Sequence, residues 1–267
     1  MSRKVIRMPL PLDIDKHKYV RKSDSLIQNV RYNLSLNEEK IILNIIRMIQ
    51  PEDKDFATYS ISINQFCKIL GIKYNGRSLQ DIRNTVQSLS DKSFWYEDEN
   101  GDQVLVRWVT QSRIRKNTST VEIQLHPEMK PFLLELKELT QYPYWCIAHM
   151  RSSYSIRFYE YFRSMLKVEP IFYLSIDKIR EMVTPRRDSN ADTGSNKTFY
   201  ERSSDIKRFV IGKSVSEVNK FSDITVKVRE EKEGRKLVGF WFEVESKDRE
   251  TVVNLERETI GVAQNFS

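Results

Sequence analysis

The chain has 267 residues, 39% of them hydrophobic, and its 44 basic and 37 acidic side chains give a formal net charge of +7. That length suits one large or two ordinary globular domains at about 100–200 residues each, and the apolar content argues against a disordered or fibrous chain. The basic excess favours a polyanionic partner without requiring one, no apolar run approaches the roughly 18 residues a membrane span needs, and the basic stretch Met1–Leu12 lacks a signal peptide's continuous apolar core. Two cysteines, Cys67 and Cys146, both in apolar surroundings, read as buried free thiols of a reducing compartment. A soluble cytoplasmic protein is the expectation.

In chain order, residues 1–20 show neither helical nor strand period and contain Pro9 and Pro11, which predicts a flexible basic arm. Ser23-Asp24-Ser25 caps a short helix with Leu26, Ile27 and Val30. Ser35-Leu36-Asn37-Glu38 has the form of a capping box, opening a helix with Ile41, Ile42, Ile45, Ile46 and Ile49 that Pro51 closes. A strand, Thr58–Ile61, runs into a second box, Ser62-Ile63-Asn64-Gln65, and a helix that stops at Gly71. A third helix places Leu79, Ile82, Val86 and Leu89 on one face and Arg77, Gln80, Arg83, Asn84 and Gln87 on the other. Strands follow at 94–96, 104–114 and 121–125, with an Asn100-Gly101 turn and a basic turn at 115–117. A helix at about 131–139 then leads to the aromatic run Tyr142-Pro143-Tyr144-Trp145.

The second half repeats the first. Tyr154, Phe158, Tyr159 and Phe162 have the spacing of Ile41, Ile45, Ile46 and Ile49, each 113 residues further on. At the same offset Ser175-Ile176-Asp177 meets Ser62-Ile63-Asn64, Ile179 meets Phe66 and Met182 meets Ile69. A polar loop, 184–195, precedes a helical run carrying Ile206, Val210, Ile211, Val215 and Val218, and a hairpin turns at Glu233-Gly234. The order helix–strand–helix–helix–hairpin, found twice, predicts an α+β chain of two tandem winged-helix domains forming a pseudo-repeat. The expected division is a flexible arm at 1–20, a first domain at 21–140, a second at 141–246 and a polar, partly irregular tail at 247–267.

Catalytic parts are missing from the pattern. His17, His126 and His149 share no spacing that would pair them on a metal, and two isolated cysteines do not make a zinc site. Gly212-Lys213-Ser214 hints at a phosphate loop, but the motif needs a glycine where Lys207 stands and a strand upstream rather than a helix. Glu38-Glu39 and Glu230-Glu231 read as helix-start and hairpin surface rather than acid–base pairs. No catalytic residue, metal or cofactor is therefore expected.

DNA-reading chemistry is present. Lys and Arg neutralise phosphates, while Arg, Asn and Gln can also address base edges in pairs of hydrogen bonds. The second domain's third helix offers Asn196, Lys197, Thr198, Tyr200, Ser204, Lys207 and Arg208, and its wing offers Lys227, Arg229, Lys232, Arg235 and Lys236. The first domain offers Arg77, Gln80, Arg83 and Asn84 on its helix and Arg113, Arg115 and Lys116 at its basic turn. Being less basic, the first helix is expected to bind more weakly. A solvated charged surface is the plain alternative for each residue taken singly.

Three segments resemble one family. They are Asn29–Ile41, Arg151–Phe162 with its Arg157-Phe158-Tyr159-Glu160-Tyr161-Phe162 core, and Asp205–Asp223. The chain is similar over about residues 20–245 to the replication initiators of iteron-containing, theta-replicating plasmids. The resemblance implies two winged-helix domains and a non-enzymatic, sequence-specific binder of repeated double-stranded origin sites. It also implies help in opening an adjacent AT-rich duplex, and recruitment of the host initiator and replicative helicase. A monomer–dimer switch is implied too, with monomers on direct repeats and dimers on an inverted operator that represses the protein's own gene, the dimer contacts lying largely in the first domain. Gly212 departs from the family pattern and leaves the course of the third helix open. The other reading is a winged-helix transcriptional regulator with no replication role, which needs the same DNA-reading residues.

Overall fold

The computed structural model describes residues 6–7, 19–75, 77–183 and 200–264. In the first half the elements are β1 (Ile6–Arg7), β2 (Tyr19–Ser23), α1 (Asp24–Gln28), α2 (Leu36–Ile46), β3 (Thr58–Ser62), α3 (Ile63–Leu70), α4 (Ser78–Ser90), β4 (Ser93–Glu97), β5 (Gln103–Arg107), β6 (Val109–Arg115), β7 (Thr120–Leu125), α5 (Lys130–Leu133), β8 (Leu139–Pro143) and α6 (Trp145–Ala148). The second half holds α7 (Ser153–Met165), β9 (Ile171–Ser175), α8 (Ile176–Val183), α9 (Ser203–Asp205), a π-helical segment (Ile206–Gly212), α10 (Lys213–Phe221), β10 (Ile224–Glu233), β11 (Lys236–Ser246) and α11 (Arg249–Gln264).

The helix starts follow local chemistry. Both boxes close: Ser35 accepts from the Glu38 amide while Glu38 accepts from the Ser35 amide, and Ser62 and Gln65 do the same. Gly71 ends α3 in the left-handed region at φ +67°, where a side chain would be strained. Ser23 caps α1. Ile82, Val86 and Leu89 are buried as the α4 stripe predicts, whereas Leu79 faces water.

Each half carries a small sheet with a wing. In the first, the order β1-β3-β7-β6 joins antiparallel β3, β7 and β6, with β1 parallel to β3. In the second, β9 and β10 flank β11, all antiparallel. The helix–strand–helix–helix–hairpin order expected of each half is therefore present as α2–β3–α3–α4–β6/β7 and α7–β9–α8–(203–221)–β10/β11.

Four expectations are corrected. Ile6–Arg7, inside the expected flexible arm, forms a strand; the rest of 1–18 lies outside the described residues. The single strand at 104–114 is two strands in different sheets, β5 pairing with β4 and β6 with β7. Trp108 makes the break: its ring is buried 5.1 Å from Tyr32 and 5.2 Å from Phe94, so the chain turns through the core there. The helix at 131–139 stops at Leu133, and Leu139–Pro143 instead pairs with β2. In the charged tail after Ser246, Arg249–Gln264 forms α11 where irregular chain was expected: Asp248 accepts from the Thr251 amide and hydroxyl, and Val252 and Leu255 pack against the core, while 265–267 lie outside the described residues.

Helix α7 ties the halves together. Glu160 takes an ion pair from buried Lys22 of β2 at 2.7 Å and a hydrogen bond from the Tyr142 hydroxyl of β8. Arg157 donates to the Val30 carbonyl at 2.6 Å, and its guanidinium lies 4.4 Å from the centre of the Tyr32 ring. Elsewhere on the same helix, Tyr159 donates to Asp223 at 2.9 Å, with Arg163 3.5 Å from the same carboxylate, in the turn before β10. Burying Glu160 and Lys22 is tolerable because they pair with each other, whereas Arg157 is held by the Val30 carbonyl and the Tyr32 ring, with its Nε and Nη1 left without a hydrogen-bond partner among the described residues. Glu38 and Glu39, expected on the surface, are both buried instead, because α2 packs them inward; Glu39 makes no ion pair among the described residues, and burial first, and Glu160 second, push its carboxyl up to about 8. Cys67 and Cys146 are buried free thiols, as read from sequence.

Candidate nucleic-acid interface

In the second half, α8 and the helix over 203–221 take the places of the second and third helices of the winged-helix order. The spacing of Ile206, Val210, Ile211, Val215 and Val218 is expected to make one helix face, but at 100° per residue an ordinary α-helix would turn Ile211, Val215 and Val218 well away from Ile206 and Val210. The π-helical segment resolves this by spending one extra residue on the turn, so that Ile206 and Ile211, five apart, share the inner side with Val210, Ser214 and Val218. Gly212 closes that turn rather than breaking the helix. A Cβ there would lie 3.0 Å from the Lys207 carbonyl oxygen, which is why a glycine suits the position. The outer side then carries Ser204, Arg208, Gly212 and Ser216 in steps of four, with Lys207 and Phe209 to either side and Lys213 beyond.

The wing is the β10/β11 hairpin, which turns at Gly234 with φ +61°. Its near end is anchored by Phe172, Phe240 and Phe242 in the core, and Gly239 allows β9 to come close. A Cβ on Gly239 would overlap the Tyr173 ring and approach the Leu174 carbonyl to 2.5 Å.

The cations divide by what surrounds them. Lys207 reaches Glu230 on the wing at 2.5 Å, and Lys232 reaches the same carboxylate at 3.1 Å. Those two hydrogen bonds hold the Glu230 carboxyl below its usual range. Lys227 lies between Glu243 at 3.2 Å and Glu245 at 3.3 Å, which raises its own pKa. Arg208, Arg229, Arg235 and Lys236 are exposed with no ion pair among the described residues. Tyr200 is half-buried, its ring 6.0 Å from Tyr154 of α7, and Arg180 holds its carbonyl at 3.4 Å. It is placed to brace the start of the helix as well as to face outward. Asn196, Lys197 and Thr198 lie outside the described residues.

In the first half, Arg77, Gln80, Arg83 and Asn84 all lie on the solvent side of α4, with the Gln80 amide donating to Asn84 at 2.8 Å. Asn75 accepts from the amides of Arg77 and Ser78 and so sets the helix start. The β6/β7 wing presents Arg113, Arg115 and Lys116, of which Arg115 is committed to Glu122 at 2.8 Å. Two outward residues went unread in the sequence: Lys213, hidden in the discarded phosphate-loop pattern, and Phe209, whose aromatic character suggests core. Among the described residues no cluster of three or more metal-ligating side chains occurs, and no helix is long and apolar enough to cross a membrane.

A family model described as the WH1 domain of initiator replication proteins matches residues 19–163, and one for the WH2 domain of initiator Rep proteins matches 175–244. The chain belongs to the initiator Rep protein family. Among solved structures, the Pi initiator protein in complex with iteron DNA superposes with a TM-score of 0.68 at 15% identity, covering 88% of this chain and all of that one. The likeness shows a shared two-domain winged-helix fold. Domains 2 and 3 of RctB match at a TM-score of 0.49 and 13% identity, covering 90% of this chain and 95% of that one. The WH1 domain of the replication protein MSBI1.176 matches at a TM-score of 0.29 and 23% identity, covering 37% and 79% respectively. No curated protein matches the chain. Family membership favours the Rep initiator over the transcriptional regulator read as the alternative.

Proposed function

We propose that this Rep protein starts plasmid replication by binding direct repeats, or iterons, in double-stranded origin DNA and helping to open an AT-rich stretch beside them. The second domain is the main reader, through Ser204, Lys207 and Arg208 on the helix and the cations of the β10/β11 wing. The first domain adds weaker contacts through α4 and the β6/β7 wing and carries the self-association that sets monomers against dimers. Dimers acting on an inverted operator repress the gene, and the host initiator and replicative helicase are the further partners. The role is non-enzymatic and belongs in the cytoplasm. The observation that carries this reading is the match of both halves to initiator domains, together with an outward helix face on which Arg208 makes no ion pair among the described residues. The test is a titration of origin duplex against a scrambled duplex of the same composition, across a salt series. Specific binding gives an affinity ratio of about 10³ or more, both affinities falling as salt rises. Equal affinity for the two duplexes would contradict the reading.

A further inference from the structure

Phe209 stands out from the rest of the reading helix. It is 47% exposed, on a face whose other large side chains are cations, and the Arg208 guanidinium lies 5.1 Å from its ring centre. The inner stripe does not use it: Ile206, Val210, Ile211 and Val218 close the core without it. Its exposure follows from the π turn, which brings Val210 and Ile211 inward and leaves the residue before them facing out. The reading helix of the first half shows the same composition, with Leu79 exposed at 39% among Arg77, Gln80 and Arg83. An isolated exposed apolar side chain is ordinary on a protein surface. One on the outer face of each reading helix, set among cations, is placed where duplex DNA would cover it.

A phenyl ring has no donor or acceptor, so against the polar edges and phosphates of DNA its burial gains nothing. The major groove offers one apolar group, the C5-methyl of thymine. We propose that Phe209 is a specificity-determining residue that packs on a thymine methyl in each origin repeat, next to the base pair addressed by Arg208. The proposal rests on the second domain being the origin reader and assigns one base of the recognition sequence by chemistry. The contact between guanidinium and ring holds the two side chains together, so that they address neighbouring base pairs as a unit.

The experiment uses the full chain and a duplex carrying one origin repeat, with each thymine replaced in turn by deoxyuridine, which lacks only the methyl. Wild-type protein is expected to lose about fourfold in affinity at one or two of these positions, the size of a buried methyl contact. Phe209→Ala binds the unmodified duplex more weakly and no longer senses uracil at those positions, while Phe209→Leu keeps part of the effect. The substitution in the DNA leaves the protein unaltered, so a folding defect in a variant cannot imitate the wild-type result. Wild-type binding that prefers origin over scrambled duplex yet is indifferent to every uracil overturns the thymine contact and leaves the origin reading intact. Uracil sensitivity that persists unchanged in Phe209→Ala also overturns it. Absence of any preference for origin DNA in the wild type sinks both together.

Discussion

Arg208 and Lys207 are neighbours in sequence but differ in what competes for them. Lys207 is already paired with Glu230, whereas Arg208 makes no ion pair among the described residues and lies beside the Phe209 ring. Arg208→Ala is therefore expected to cost on the order of 1–3 kcal/mol of origin binding and to relax discrimination at one base pair, with Lys207→Ala costing less. Competition titrations with single-base-pair variants of the repeat check this; unchanged affinity and unchanged discrimination in Arg208→Ala would remove the helix from the groove. Arg235 and Lys236, at the wing tip, differ again. Substituting either with Ala is expected to weaken binding to every sequence alike and to lessen the salt slope by about 0.9 for each phosphate no longer neutralised. Gly239→Ala sets a methyl into the Tyr173 ring and the Leu174 carbonyl, a clash at backbone level that should destabilise the second domain by about 1–3 kcal/mol in urea unfolding. A variant as stable as the parent would show that β9 can withdraw.

At the scale of elements, the helix over 203–221 and the β10/β11 wing are joined through one carboxylate. Glu230 holds Lys207 of the helix and Lys232 of the wing in a fixed relation and offsets part of their charge. Glu230→Gln keeps the shape and removes the charge, so the variant is expected to bind scrambled DNA more tightly, with a steeper salt dependence and a smaller origin-to-scrambled ratio. A flatter salt slope would mean that the two lysines do not face phosphate. What the sequence made legible here was local. The serines at 35 and 62 find their partners three residues away, and Gly71 needs only its own backbone, so these ends were readable. The division at Trp108 and the strand at Leu139–Pro143 depend on contacts far along the chain, with Tyr32 and with β2, which no periodicity reports. The cationic outer face of the helix over 203–221 was likewise legible from spacing, but its pairing with Glu230 was not, because β10 is distant in sequence. The π turn at Gly212 and the exposure of Phe209 came only with the folded packing of Val210 and Ile211.

For the whole molecule, α7 is the common wall between the two halves, and a buried carboxyl on α2 near its Glu160 sets a pH dependence. Glu39, raised by burial from its ordinary 4.5 to about 8, is neutral in the fold at low pH and must be charged in a costly place at high pH. Its folded pKa lies above its unfolded one, so its contribution is full below about 4.5 and is lost as pH rises towards about 8. Glu39→Gln removes the penalty: relative to wild type it should gain on the order of 1–3 kcal/mol between pH 5 and pH 8.5 in urea titrations. A constant difference across that range would mean that Glu39 stays ionised. The two-domain plan also sets the central test. If two winged helices act together on repeats, footprinting of the full chain on the plasmid that carries its gene should protect a row of direct repeats of about two helical turns each, beside an AT-rich segment, with major-groove protection by the second domain. Arg208→Ala should lose that pattern while keeping weak uniform binding. Protection scattered without a repeat, or the same footprint from Arg208→Ala as from wild type, would contradict the account.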